Sequence, residues 1–170
     1  MAGLEQPDAG TVQCEGRLSM VFQEDRLLPW MTAEKNILIT NDQLTSHDVQ
    51  LLLHEMGLQH EGDKYPAELS GGMKRRIAIA RALAYPSDIL ILDEPFRGLD
   101  RVIRDQIMEK IRMLSQKELV LLVTHDLEEA FLLSDRILFL EGKPIRVGNT
   151  LDLKGKNSYQ RKEALQEFSS

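Results

Sequence analysis

Ile89-Leu90-Ile91-Leu92-Asp93-Glu94-Pro95 runs four apolar residues straight into two adjacent carboxylates and a proline. A short, unbroken apolar run is the pattern of a strand buried on both faces, as in a parallel sheet. Open α/β sheets bind ligands at the carboxyl ends of such strands, where Asp93 and Glu94 fall. Asp93 has the chemistry to hold a hydrated Mg²⁺. Glu94, one residue on and facing elsewhere, can polarise an attacking water. The plainer reading of the same residues is an acidic turn stopped by Pro95.

Three further apolar runs lie outward from this one, at residues 18–22, 119–123 and 137–140. The last two, with 89–92, are almost continuously apolar and predict strands buried on both faces of a parallel sheet. Helical periodicities separate them. Val49, Leu52, Leu53 and Met56 share a face that should stop near Gly57. Ile77, Ile79, Ala80, Leu83 and Ala84 mark a helix begun at Ser70-Gly71-Gly72, and Ile103, Ile107, Ile111 and Leu114 form an amphipathic stripe. Strand, helix, strand, helix, strand from 89 to 140 reads as α/β with right-handed crossovers. Residues 26–84 are mostly helical and read as an insertion between the first two strands. Residues 149–170 are polar, and Lys154, Lys156, Arg161 and Lys162 read as a solvated terminal helix or frayed end.

With 170 residues, one domain is expected. Apolar residues make up 42% and charged ones 28%, which excludes a disordered or fibrous chain. Only 5% are aromatic and the net charge is −6, which leaves little for stacking bases or binding a phosphate backbone. Cys14 is the one cysteine, so no internal disulfide forms and a reducing compartment is expected. No run approaches the ~20 apolar residues of a membrane helix. The first residues lack the basic flank and apolar core of a signal peptide. The expectation is a soluble, intracellular protein.

Other segments carry chemistry. In Leu69-Ser70-Gly71-Gly72-Met73-Lys74-Arg75-Arg76, Ser70 is a good N-cap and two glycines allow close backbone approach. A helix start of this kind offers N–H groups and a positive dipole end to phosphate. A plain capped helix is the simpler alternative, and Lys74-Arg75-Arg76 reads as a solvated face. Val120-Leu121-Leu122-Val123-Thr124-His125-Asp126 ends a strand in His125, able to hydrogen-bond a phosphate or water. His47, His54 and His60 do not have a helical ligand spacing. Gln23 follows the first run, and its amide oxygen can reach a Mg²⁺ or a water.

The order of these segments resembles the ATP-binding subunit of ABC transporters: strand–Gln23, Leu69-Ser70-Gly71-Gly72, strand–Asp93-Glu94-Pro95, Gly98-Leu99-Asp100, strand–Thr124-His125-Asp126. The resemblance runs over residues 3–148. It implies an α/β P-loop NTPase fold with a parallel core sheet and a helical insertion subdomain. Residues 1–25 and 85–148 would form a partial ATPase core, 26–84 the helical subdomain and 149–170 a polar tail. It further implies that Gln23 senses Mg²⁺ and couples to the membrane subunit, and that Asp93 holds the metal. Glu94 would be the catalytic base, His125 the switch histidine and Asp100 the loop aspartate beside the second nucleotide site. Leu69, Ser70, Gly71 and Gly72 would close on the γ-phosphate of ATP held by an opposite subunit. The implied partners are a permease and a second ATP-binding subunit, identical or not, with no nucleic acid, on the inner face of the cell membrane. Met73 stands in place of the commoner Gln. With Leu28-Pro29-Trp30 and Glu94-Pro95-Phe96-Arg97-Gly98-Leu99-Asp100, it looks like the importer branch for nitrate, sulfonate and taurine.

The family's Gly-x-x-x-x-Gly-Lys-Ser/Thr does not occur: neither Gly142-Lys143 nor Gly155-Lys156 has Gly five places earlier or Ser/Thr after it. The resemblance therefore implies that the N-terminal strands and phosphate loop are missing, with a gap between the strand at 119–123 and that at 137–140. Such a chain is expected to be unstable alone and to hydrolyse no ATP. Two further functional expectations follow: an inactive half that lends only its signature, Leu69-Ser70-Gly71-Gly72, to a complete partner, or a non-functional remnant. A DNA-repair or translation ATPase is a more distant reading, against which the short insertion without heptads or a basic face weighs.

Overall fold

The computed structural model describes residues 7–168, so Gly3 and the outer ends of the segments 1–25 and 149–170 lie outside the described residues. Three parallel strands, β1 (Leu18–Val21), β2 (Ile89–Asp93) and β3 (Leu119–Val123), pair in that order. Val21 sits opposite Leu92, and Asp93 opposite Val123, so all three strands end along one edge. The apolar run that opened the sequence is the central strand, and Ile89, Leu90, Ile91 and Leu92 are all buried. Each such side chain contributes about 1.5–3 kcal/mol by leaving water. The expectation of burial on both faces fails for β3. Its only described ladder is to β2, and Leu119 and Val123 remain 52% and 53% exposed.

Asp88 aligns the amino ends of these strands. Its N–H donates to Arg17 O at 2.8 Å, its carbonyl accepts from Leu119 N at 3.1 Å, and its carboxylate accepts from Arg17 N at 2.7 Å.

Between β1 and β2 lie α1 (Ala33–Leu38), α2 (Ser46–Glu55), a 3₁₀ turn at Pro66–Glu68 and α3 (Gly71–Ala84). Local chemistry sets their ends. Thr45 and Asp48 form a reciprocal capping box at the start of α2. Gly57, at φ +65°, ends it, where a Cβ would stand 3.0 Å from Ile103 Cδ1. Ser70 Oγ accepts from Met73 N at 3.3 Å and starts α3 where the sequence predicts. Ile37, Val49, Leu53, Met56, Ile77 and Ile79 are buried and join these helices to each other. Buried Asn36 accepts from Leu28 N and donates to Leu28 O, Met31 O and Thr32 O, pinning the turn that leaves Trp30 68% exposed. After β2, α4 (Arg101–Leu114) buries Ile107, Met108 and Ile111 and leads to β3.

A second compact unit begins at Thr124. It holds α5 (Leu127–Leu133), β4 (Arg136–Glu141), β5 (Arg146–Asp152) and α6 (Ser158–Phe168). Phe131, Ile137 and Leu153 form its core, and the Phe168 ring stacks on Phe139 at 4.7 Å. Two expectations are corrected here. The run at 137–140 is not a strand of the parallel sheet: β4 pairs antiparallel with β5, Ile137 opposite Leu151. A two-stranded ribbon buries one face only, so Ile137 turns inward while Leu138 and Leu140 are exposed. Nor are residues 149–170 a solvated tail. They contain the end of β5, buried Leu153 and α6, and Arg161 is 7% exposed. Its guanidinium donates to Phe131 O, Ser134 O and Lys156 O and pairs with Asp135. It thereby satisfies carbonyls that the end of α5 leaves without helical partners. Among the described residues, no helix is long and apolar enough to cross a membrane.

Two outcomes are expected. Replacing Arg161 with Met strands those carbonyls and should cost about 2–3 kcal/mol of stability in urea unfolding. A loss below about 0.5 kcal/mol, the size of a surface effect, would contradict the buried contacts. The second concerns Asp88, whose carboxyl is held below its ordinary 3.8, chiefly by the Arg17 N–H. A depressed value in the folded state contributes stability above the ordinary carboxylate range and loses it as pH falls through the lowered value. The urea midpoint should therefore fall more steeply below about pH 4 in the wild type than in Asp88→Asn. Equal slopes would sink the assignment.

Candidate functional site

The edge where β1, β2 and β3 end gathers most of the residues that the sequence singles out. Gln23 follows β1 by two residues and its side chain is exposed. Asp93 closes β2, and Glu94 follows with a left-handed backbone, φ +48°. That conformation is uncommon for a non-glycine residue and persists where the surroundings fix it. Part of the fixing is the Glu94 N–H, which donates to Val123 O at 2.9 Å.

A further part comes from a residue that sequence reasoning assigned to a solvated face. Arg75 is 4% exposed. Its Nε donates to Pro95 O at 2.9 Å and its Nη2 to Asp93 O at 2.8 Å and to Glu94 O. Its Nη1 reaches Phe22 O, Gln23 O and the Asp25 carboxylate, the last two at 3.3 Å. One guanidinium thus joins the segment after β1 to the segment after β2. Its five N–H groups in a planar fork make this feasible, and a lysine has no such geometry. The signal was periodic: positions 75, 78, 79 and 82 lie on the stripe of α3 that is buried. Reading Lys74-Arg75-Arg76 as a charge run hid it.

A second arginine on α3 completes the hold on the Gln23 loop. Arg81 Nη1 donates to Arg26 O at 2.9 Å and Nη2 to Asp25 O at 3.2 Å. Burial lowers the pKa of Arg81, opposed by the Asp25 carboxylate, and the group stays charged. Arg26 has φ +45°, and its guanidinium lies 4.0 Å over the Phe22 ring.

The glycine-rich start of α3 stands beside the same loops. Leu69 is buried, Ser70 and Gly71 are exposed, and a Cβ on Gly72 would lie 3.5 Å from Gly98 O. Ser70 is committed to Met73 N as a cap, which leaves the first-turn N–H groups without helical acceptors. Asp100, two residues after Gly98, caps α4 by accepting from Ile103 N at 3.1 Å. Gln23, Asp93, Glu94, Leu69, Ser70, Gly71, Gly72 and Asp100 therefore belong to one unit. His125 belongs to the other, where it is exposed between Thr124 and Asp126, the N-cap of α5.

The chemistry of this edge is that of oxygen donors and backbone N–H groups. Among the described residues, no group of three or more His, Cys, Asp or Glu is placed to hold a metal. Mg²⁺ does not require one, because it keeps waters and phosphate oxygens and takes one or two protein oxygens. Asp93 and Gln23 stand at the ends of adjacent strands and carry oxygen donors of the kind that ion takes.

Known proteins resemble this chain in sequence and fold. Residues 1–97 match the family described as ABC transporter. The chain is 44% identical over 163 residues to the aliphatic sulfonates import ATP-binding protein SsuB 1 of Rhodococcus jostii, covering 91% of this chain and 64% of that protein. It is 41% identical over 172 residues to the bicarbonate transport ATP-binding protein CmpC of Synechococcus elongatus, covering 90% of this chain and 26% of that one. The chain thus spans less than two thirds of the length of either relative. A solved dimeric ATP-binding cassette, in a post-hydrolysis state bound to ADP and Pi, superposes with a TM-score of 0.70 at 27% identity. That match covers 82% of this chain and 64% of the cassette. With more than half its residues matched to that family and its parallel sheet shared with a solved cassette, the chain belongs to the ABC transporter family.

Proposed function

We propose that this chain works as an ATP-hydrolysing subunit of an importer that takes up a small anion. The observation that carries the reading is the shared edge: Gln23, Asp93 and Glu94 lie beside the uncovered start of α3 in one compact unit. The sulfonate and bicarbonate relatives, both ATP-binding proteins of transport, support the solute class. Residues 26–84 are read as the helical subdomain facing a permease, which would hold the chain at the inner face of a membrane.

In the proposed reaction a water attacks the γ-phosphorus of ATP, the bond to the β-phosphate oxygen breaks, and ADP leaves. Glu94 accepts the proton of that water. Asp93 and Gln23 would hold Mg²⁺, which neutralises charge on the phosphate oxygens when bound. The Gly71 and Gly72 N–H groups, with the Ser70 cap and buried Leu69 behind them, face the γ-phosphate of a nucleotide on an opposite ATP-binding subunit. Asp100 fixes the loop beside that contact. None of the 170 residues forms Gly-x-x-x-x-Gly-Lys-Ser/Thr. In a second reading, only the signature of this chain serves a complete partner.

Two substitutions separate these readings in the assembled transporter. Glu94→Gln should lower kcat for ATP by about 10²–10⁴ while nucleotide still binds. Ser70→Arg, which blocks the start of α3, should lower it by about 10²–10³. Loss with Ser70→Arg alone would transfer catalysis to the partner subunit. Full activity in both variants would overturn the proposal.

A further inference from the structure

The geometry points to Arg75 as a positioning residue that fixes the Gln23 loop and the Glu94 backbone to each other and to the signature helix. This rests on the roles proposed above for Gln23 and Glu94.

The rungs of the sheet end at Val21 on β1 and at Asp93 on β2, and Phe22 and Glu94 stand one residue beyond them. Buried carbonyls do not stay unpaired. Arg75 supplies the donors from one planar group: Nη1 serves Phe22 O and Gln23 O, Nη2 serves Asp93 O and Glu94 O, and Nε serves Pro95 O. Asp25, 3.3 Å from Nη1, supplies the countercharge. Because the donors share one rigid plane, the Gln23 loop cannot shift relative to Glu94 without breaking bonds on one side.

Glu94 depends on this hold. Its left-handed φ sends the chain sharply out of β2, and its peptide is held by its own N–H to Val123 O and by Arg75 on its carbonyl. Arg75 also lies one turn inside α3 from Gly71 and Gly72. A displacement of the signature end is therefore carried by α3 to both loops together. Arg81, on the same helix, reaches only the Gln23 side, at Asp25 O and Arg26 O. The two arginines thus provide an internal comparison.

The test uses the assembled transporter with wild type, Arg75→Gln, Arg75→Lys, Asp25→Asn and Arg81→Gln. Steady-state ATP hydrolysis is read beside amide hydrogen exchange at residues 22–26 and 93–97. Arg75→Gln should lower kcat about tenfold or more with KM for ATP within about twofold, because misplaced groups lose rate before they lose binding. Exchange should quicken in both segments. Arg75→Lys should recover part of kcat. Asp25→Asn keeps shape and removes only the countercharge; it should give a smaller change in the same two segments. Arg81→Gln should quicken 22–26 alone.

Wild-type kcat in Arg75→Gln, or exchange that quickens at 22–26 without 93–97, would overturn the proposal. Should Arg75→Gln fail to assemble, Asp25→Asn decides: paired loosening supports the clamp, and unchanged exchange refutes it. Absence of ATP hydrolysis in the wild type would instead refute the proposed function. The exchange arms would still show whether Arg75 couples the two loops, so the two failures are told apart.

Discussion

A cation held 4% exposed among main-chain carbonyls is the constraint on which the first unit depends. Taking a guanidinium out of water costs several kcal/mol, and only close, well-directed acceptors offset that. Here the acceptors are carbonyls where the chain leaves the strands, so two desolvation costs cancel against each other. Removing either side leaves the other uncompensated, a loss of about 3–5 kcal/mol for buried charged pairs. The net stability gained by the arrangement is modest by comparison. Its larger consequence is geometric, because two loops and one helix acquire a single relative placement.

The same device recurs at three other places where the chain turns out of regular structure. Arg76 donates to Met56 O and Gly57 O where α2 ends, Arg81 to Asp25 O and Arg26 O, and Arg161 to carbonyls around the end of α5. Helix ends and strand exits each leave carbonyls without partners. Water can satisfy them at the surface; in the interior a long side chain with several donors must do so. Arginine suits the task because its fork serves several acceptors from one direction and its charge survives burial. Composition arithmetic counts these residues as surface charge, although four of them are spent on the main chain.

This explains which parts of the structure were legible in the sequence. The central strand was readable because four apolar residues in a row admit few other interpretations. The start of α3 was readable because Ser70 acts within three residues of itself. Gly57 was readable as a stop for the same local reason. Arg75 was not, since its partners lie 18 to 53 residues away and its neighbours in sequence are charged. The burial of Arg161 was hidden in the same way by Lys154, Lys156 and Lys162. The run at 137–140 failed for a different reason. Four apolar residues can be a strand covered on both faces or one face of a ribbon, and the choice depends on what else packs there.

Chemistry-bearing residues were easier to name than to place. Gln23, Asp93 and Glu94 are notable in the sequence because each follows an apolar run, but nothing in their spacing joins the exit of β1 to the exit of β2. What joins them is a side chain on α3, inside the segment between those two strands. The fold thus puts the exposed start of α3 and the clamp on its second turn in one rigid element. A helix moves as a unit over such a distance, since its hydrogen-bond ladder resists stretching. Contact at the exposed glycines and placement of the carboxylate edge are therefore two ends of one mechanical element, and Arg75 is where that element grips the sheet.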